Sequence, residues 1–342
     1  MVAYDTVQET LRAKPKSWLI TGVAGFIGSH LLEKLLKLDQ QVFGLDNFSN
    51  GKRRNLEEVG ENVKPEQWAR FHMLEGDVAN LNTCEQCCRN VQIVLHQAAL
   101  GSVPRSIEDP VPFHQSNVTG TFNLLFAAQK SGVQRFVYAS SSSVYGDEPT
   151  LPKVEELIGT PLSPYAASKA ICETYAHAFG KTYRLESIGL RYFNVFGPRQ
   201  DPEGAYAAVI PKWITTLLHR EPVHIHGDGE TSRDFCYVEN VVQANLIAAT
   251  TTNPTALNEC YNIALGKRTT LTELFHLLRD ALRRRDPSLP AQQAIYGEFR
   301  PGDIKHSLAD IHKAQRLLGY QPTHQIDQGL ELAMDWYCRE LA

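Results

Sequence analysis

Trp18-Leu19-Ile20-Thr21-Gly22-Val23-Ala24-Gly25-Phe26-Ile27-Gly28 is the stretch whose reading decides the fold. Its first four residues form a short apolar strand. The glycines at 22, 25 and 28 make a tight turn, and leucines at 31, 32, 35, 36 and 38 mark an amphipathic helix over residues 29–38. Strand, glycine turn and helix are the setting in which a dinucleotide fingerprint works. The glycines bring backbone close to a pyrophosphate, and the helix N-terminus offers it unpaired N–H groups. Gly22, Gly25, Phe26, Ile27 and Gly28 are the expected contacts. The spacing is Gly-x-x-Gly-x-x-Gly, so the loop alone is also compatible with an ordinary turn.

The segments that follow favour the cofactor reading. A strand over 41–45 ends at Asp46, a carboxylate placed to take the hydroxyls of an adenosine ribose and to repel a 2′-phosphate. No arginine follows in Asn47, Phe48, Ser49, Asn50 and Gly51, which favours NAD over NADP. A third strand, 71–74, leads to Gly76, Asp77 and Val78, a polar and apolar pair suited to adenine. A fourth, 91–95, opens into Gln97, Ala98, Ala99, Leu100 and Gly101, small residues that let a cofactor lie across the strand ends. A helix is expected over 117–128 and a fifth strand over 135–139. Strands alternating with helices of these lengths predict an α/β, Rossmann-like, doubly wound parallel sheet.

Tyr165 and Lys169 stand four apart at the start of the next helical pattern, so phenol and ammonium share one face. A free tyrosine is a poor base at neutral pH, and a neighbouring ammonium together with a cationic nicotinamide favours its phenolate. By itself Tyr-x-x-x-Lys recurs on ordinary helices. Here the fifth strand runs into Ser140, Ser141, Ser142 and Ser143, which puts a hydroxyl in reach of the same cleft.

After a strand over 187–190 the alternation stops, and residues 191–342 read as a second, smaller, mixed α/β lobe. Residues 1–190 form the first unit, with a returning segment near 235–263. In the second lobe Asn194 and Val195 follow the sixth strand, Ala208 and Val209 open a helix, and His224 sits on a strand-like stretch. Arg233 closes a polar loop over 227–234, and Arg300, Asp303 and Ser307 come later.

Composition excludes several classes of function. With 342 residues, 43% hydrophobic, the chain has material for a large core spread over two lobes. Net charge −4 without a long basic run argues against nucleic acid, so a phosphate-bearing ligand must be met by a few arginines and backbone amides. No apolar run approaches the ~20 residues of a membrane span. Residues 1–16 carry Asp5, Glu9, Arg12, Lys14 and Lys16, unlike a signal peptide, while Tyr4, Val7 and Leu11 recur at helical spacing. Seven cysteines, an odd count, suit a reducing cytoplasm, the expected location. Cys84, Cys87 and Cys88 have no second ligand pair, so no metal site is expected.

Taken together, these motifs resemble the extended short-chain dehydrogenase/reductase family, and more narrowly its nucleotide-sugar 4-epimerases, from Trp18 to about Tyr337. The resemblance implies NAD held through a cycle that regenerates it, with Tyr165 taking the proton of the sugar 4-hydroxyl as hydride leaves carbon 4. Ser141, or Ser142 beside it, would hydrogen-bond the 4-oxygen. Lys169 would hold the nicotinamide ribose, and the 4-keto sugar would turn over before hydride returns. Asn194, Arg233 and Arg300 would grip the diphosphate, and Asp303 with the His224 segment would meet the nucleoside.

Dehydratase relatives carry an acidic pair where this chain has Ser142 and Ser143, which argues against water elimination. Gln97 stands where many relatives have Asn, a mild departure. Ser307 replaces a bulky tyrosine of glucose/galactose enzymes. With Gly101, Ser102 and Ala208, it matches a subgroup acting on UDP-N-acetylglucosamine and UDP-N-acetylgalactosamine for surface polysaccharides. A UDP-uronic or UDP-N-acetylhexosaminuronic acid epimerase is the alternative, and a non-catalytic dinucleotide sensor the alternative of another class. Relatives pair as homodimers through the helices that fall here near 117–130 and 165–183.

Overall fold

The computed structural model describes residues 3–201, 208–299 and 305–341. The first half runs α1 (Ala3–Ala13), β1 (Ser17–Thr21), α2 (Phe26–Lys37), β2 (Gln41–Asp46), α3 (Arg53–Asn62), α4 (Pro65–Trp68), β3 (Phe71–Glu75), α5 (Leu81–Cys87) and β4 (Ile93–His96). It continues with α6 (Val103–Glu108), α7 (Pro110–Phe113), α8 (Gly120–Lys130), β5 (Arg135–Ser141), α9 (Pro164–Tyr183) and β6 (Ser187–Tyr192).

The remainder holds β7 (Val195–Phe196), α10 (Val209–Leu218), β8 (His224–His226), β9 (Ser232–Arg233), β10 (Cys236–Tyr237), α11 (Val238–Thr250) and β11 (Glu259–Ile263). Then follow β12 (Thr269–Thr270), α12 (Leu271–Arg285), β13 (Ile295–Gly297), α13 (His312–Leu318) and α14 (Ile326–Leu341).

Seven strands form one parallel sheet in the order β11-β6-β5-β4-β1-β2-β3. Both faces are covered, as the near-continuous apolar strands require. Because side chains alternate across a strand, Trp18 and Ile20 enter one core with the α2 leucines and α11, while Leu19 enters the other with α8 and α9. The same alternation recurs in β4, where Ile93 and Leu95 face α2 and α11 and Val94 faces α8 and α9. β11, 67 residues beyond the end of β6, pairs beside it in the same sheet.

A separate apolar cluster gathers Trp213, Phe235, Phe275, Leu278, Met334 and Trp336, where α10, α12 and α14 pack together. β7 with β10, β8 with β13 and β9 with β12 form two-stranded ladders around it. α1 forms at the expected place and seats Leu11 in the main core. Cys84, Cys87 and Cys88 are buried thiols under β1 and β4.

The helix expected over 117–128 differs at its start. Residues His114–Thr119 are wound as a π-helix that runs into α8. A wider turn there lets Asn117 point inward and bond both the N–H and the carbonyl of Leu100 (2.8 and 3.1 Å), a tertiary tie that helical periodicity does not encode. No helix among the described residues is long and apolar enough to cross a membrane.

Candidate active site

A cleft of about 830 Å³ crosses the carboxyl ends of the sheet strands on both sides of β1, where the strand order reverses. One end is the glycine turn. A Cβ on Gly28 would sit 2.0 Å from the Gly22 carbonyl oxygen, and one on Gly22, at φ +69, would meet Ala98 N at 2.7 Å. α2 starts at Phe26 with Gly25 as an N-cap that has no capping side chain, so its first N–H groups stay available to an anion. This is a cradle that side chains would fill, and it fits a dinucleotide pyrophosphate.

Asp46 closes the end of β2 beside this turn. Its carboxylate accepts the N–H groups of Ala24 (2.9 Å) and Phe48 (2.8 Å), and burial pushes its pKa above the ordinary aspartate value. Asn47, Ser49, Asn50, Gly51, Val78, Ala98 and Ala99 line the same cleft with Phe26 and Ile27. Asp77 does not line the wall; its two oxygens accept from Ala79 N and from Nδ2 of Asn47, which does, both at 2.8 Å. Gln97 lines the wall and also closes a ring of hydrogen bonds. It donates to Asn245 (3.1 Å) and accepts from the Tyr192 hydroxyl (3.1 Å), to which Asn245 donates in turn (2.9 Å). The longer side chain here is used to reach α11.

The other end of the cleft is built on α9. Ser163 caps the helix by accepting from Ala166 N, and Pro164 occupies its first turn. Tyr165 N donates to Ser106 Oγ on α6 at 3.1 Å, and the Phe113 ring stands edge-on to the phenol ring with centroids 6.3 Å apart. These contacts fix the start of the helix. Tyr165 and Lys169 both line the cleft, and Lys169, 5% exposed, donates from Nζ to the Ala139 carbonyl at the end of β5 (2.9 Å).

Of the serine run, Ser140 lies on the wall itself. Ser141 follows it in extended conformation and accepts from Ser143 N, starting a short 3-10 turn that contains Ser142. Beneath the cleft, His96 bridges Thr21 (2.7 Å) and Thr121 (2.9 Å), and burial lowers its pKa to about 3, aided by the nearby Lys169 charge.

Gly101, Ser102 and Ala208 also line the cleft. A Cβ on Gly101 meets nothing within 4 Å. Ser102 holds φ at +91°, a conformation that costs a side-chain-bearing residue about 1–3 kcal/mol, and its hydroxyl accepts from Arg105 N. Val209 begins α10 just beyond Ala208. Asn194 (φ +29°), in the connection between β6 and β7, and Val195, which opens β7, lie outside the wall.

His224 is exposed on β8. Arg233, on β9, donates to the carbonyls of Ser232 (3.0 Å) and Lys305 (3.3 Å). Ser307 N donates to the Ser232 carbonyl at 3.0 Å, which sets Ser307 beside the strand that carries Arg233. Arg300 and Asp303 lie outside the described residues.

The cleft also recruits residues that local pattern did not flag. Arg199 and Gln200 come from the segment after β7, and Lys52 pairs with Asp201 at 2.6 Å. Arg199 is buried and ion-paired with Glu33 of α2, while His30 bonds the Pro198 carbonyl at 2.9 Å. Gly197-Pro198-Arg199 was the only available signal, a turn followed by a cation, and nothing local says that α2 supplies the partner.

Comparisons with known proteins agree with this geometry. Residues 18–264 match the family described as NAD dependent epimerase/dehydratase. The chain is 36% identical over 320 residues to a putative UDP-glucose 4-epimerase of Methanocaldococcus jannaschii, covering 93% of this chain and 97% of that one. It is 33% identical to a UDP-glucuronate 4-epimerase of Thermodesulfobacterium geofontis, covering 93% and 95%. Among solved structures, a UDP-N-acetylglucosamine 4-epimerase from Methanobrevibacter ruminantium M1, in complex with UDP-N-acetylmuramic acid, superposes with a TM-score of 0.86. That match has 37% identity and covers 96% of this chain and 99% of the other. The chain therefore belongs to the NAD dependent epimerase/dehydratase family, and it is an enzyme that works with NAD.

Proposed function

We propose that the enzyme is a UDP-sugar 4-epimerase whose preferred sugars are N-acetylated, interconverting UDP-N-acetylglucosamine and UDP-N-acetylgalactosamine. The observation that carries the reaction class is Tyr165 with Lys169 on the wall of the cleft that also holds the glycine cradle. Residues 1–190 hold the cofactor in this reading, and residues 191–342 the nucleotide sugar. Bound NAD supplies the hydride acceptor, and later the donor, at sugar carbon 4. Tyr165 takes the proton of the 4-hydroxyl and returns it to the other epimer. Ser141 donates to the 4-oxygen as its carbon becomes a ketone. Lys169, tethered to the Ala139 carbonyl, keeps a positive charge beside the phenol. Asn194, Arg233 and Arg300 grip the diphosphate, with His224 and Asp303 toward the nucleoside.

The open space at Gly101 and the small side chains of Ala208 and Ser307 support room for an N-acetyl group. Its similarity to the UDP-N-acetylglucosamine 4-epimerase of M. ruminantium supports the same sugar. Incubation of purified enzyme with UDP-N-acetylglucosamine, followed by NMR, should reach an equilibrium containing UDP-N-acetylgalactosamine. Conversion of UDP-glucose alone would refute the N-acetyl preference.

One observation favours a carboxylated sugar as the second reading. Of the four cations lining the cleft, Lys52 pairs with Asp201, Lys169 with the Ala139 carbonyl and Arg199 with Glu33. The guanidinium of Arg105 has no partner among the described residues and presents a fork suited to a carboxylate. A faster rate on a UDP-N-acetylhexosaminuronic acid than on the neutral sugar would favour this reading.

The enzyme works as a homodimer in this proposal. Phe122 on α8 and Ile171, Tyr175 and Tyr183 on α9 are exposed along the two helices, which supports pairing through that face.

A further inference from the structure

Tyr165, Lys169 and Glu173 stand at four-residue intervals along one face of α9. Glu173 is the residue of this row that the proposed chemistry does not use. Its carboxylate nevertheless accepts three hydrogen bonds. Oε1 accepts from Ser140 Oγ (2.5 Å) and from Arg191 Nε (2.9 Å), and Oε2 accepts from Arg191 Nη2 (2.8 Å). The two ionic side chains are only 11% and 3% exposed. Arg191, on β6, spends its remaining nitrogen on the Tyr145 hydroxyl (3.1 Å) and the Glu155 carbonyl (2.9 Å). A buried ion pair of this kind is often no more stabilising than apolar residues of the same volume. Stability alone therefore does not account for it.

Its place in the fold does. Lys169 grips the carbonyl of Ala139 and Glu173 grips the hydroxyl of Ser140, so successive residues of the helix row hold successive residues of β5. Ser141 comes next on the strand, and Tyr165 is the remaining member of the row. The Ser106 and Asn117 contacts hold α9 to its helical neighbours, whereas these two anchors a turn apart are the ones that hold it to the end of β5. We infer that Glu173, held rigid by Arg191, is a positioning residue that sets the register of α9 on β5. The Tyr165 phenol and the Ser141 hydroxyl then address the same sugar oxygen. This inference rests on the 4-epimerase reading.

Two variants of the full-length, NAD-loaded enzyme test it. Ser140→Ala removes one bond of the clamp and leaves the ion pair. Glu173→Met/Arg191→Met removes both charges together, keeps the volume and leaves Ser140 in place. Misplacement by a fraction of an ångström lowers kcat, so each should turn over about 10-fold or more slowly, with KM within about two-fold. Bound NAD and melting temperature should stay near wild type in both, the double variant because no unpaired charge is left buried. A merely structural role predicts the reverse coupling, kcat falling only where the melting temperature falls. Wild-type kcat in both variants overturns the inference while leaving the epimerase reading intact. A wild type silent on every UDP-sugar overturns the epimerase reading and the inference with it.

Discussion

Lys169 Nζ lies 2.9 Å from the carbonyl oxygen of Ala139, so the ammonium is tied to the end of β5 while its neighbour one turn earlier, Tyr165, reaches the cleft wall. A lysine held by backbone has its position set by the fold, and in the proposed reaction its charge serves Tyr165. The pair is thus prepared by the fold before any substrate arrives.

Tyr165→Phe removes the proton acceptor and leaves the helix and the Lys169 tether in place. The variant should retain bound NAD and lose turnover by about 10²–10⁴-fold, the worth of positioned acid–base catalysis. Single-turnover and steady-state assays on the UDP-sugar check it. Normal turnover would remove Tyr165 from the reaction.

Gly28→Ala puts a methyl group 2.0 Å from the Gly22 carbonyl oxygen, a contact with backbone that cannot step aside. The turn must open, which should cost about 1–3 kcal/mol of stability and strip the enzyme of co-purifying NAD. Thermal melts and the absorbance of released nucleotide report both effects. An unchanged NAD content would mean that the turn does not hold the pyrophosphate.

Gln97→Asn shortens the side chain by one methylene and breaks the ring with Asn245 and Tyr192. The expected loss is about 1–3 kcal/mol of stability for two part-buried hydrogen bonds, with cofactor binding kept. Denaturant titration measures the first and NAD content the second.

Burial depresses the pKa of His96 from 6.5 to about 3. A base depressed in the folded state contributes its full stability above the unfolded value and loses it as pH falls toward the folded one. Stability should therefore decline below pH 6.5 by about 1.4 kcal/mol per pH unit for each such proton. His30, also lowered to about 3, acts in the same direction, and Asp234, raised to about 7 by burial, acts in the opposite one. His96→Gln can still bridge Thr21 and Thr121. The difference between wild-type and variant unfolding free energies across this range isolates the slope. A constant difference would show that His96 does not stay neutral in the fold.

Tyr175→Glu places a charge in the middle of the exposed face formed by Phe122, Ile171 and Tyr175. Sedimentation velocity should show a wild-type dimer and a variant shifted to monomer. A monomeric wild type would refute the proposed pairing.

Much of the first half of the chain was legible because its signals are local. The glycine turn, Asp46 and the spacing of Tyr165 and Lys169 each depend on residues within a turn or a strand of one another. Strand ends read from periodicity fell within two residues of those in the fold. The serine run was less readable. Its members are alike in sequence, and only the approach of α9 gives Ser140 to Glu173 and leaves Ser141 at the strand end. The π-helix at His114–Thr119 was invisible for a related reason, since it answers to Leu100 rather than to its own neighbours.

By itself, then, the sequence determined the parallel α/β sheet, the glycine turn between β1 and α2 and the helix that carries Tyr165 and Lys169. Period, propensity and glycine geometry act over a few residues and can be read in order. Only the tertiary structure decided that Arg199 meets Glu33, that Gln97 reaches Asn245 and that Glu173 clamps β5 through Arg191 and Ser140. Those partners lie from 18 to 166 positions apart. Such pairings become favourable only once folding has excluded water and brought the groups together, and no local pattern in the chain records them.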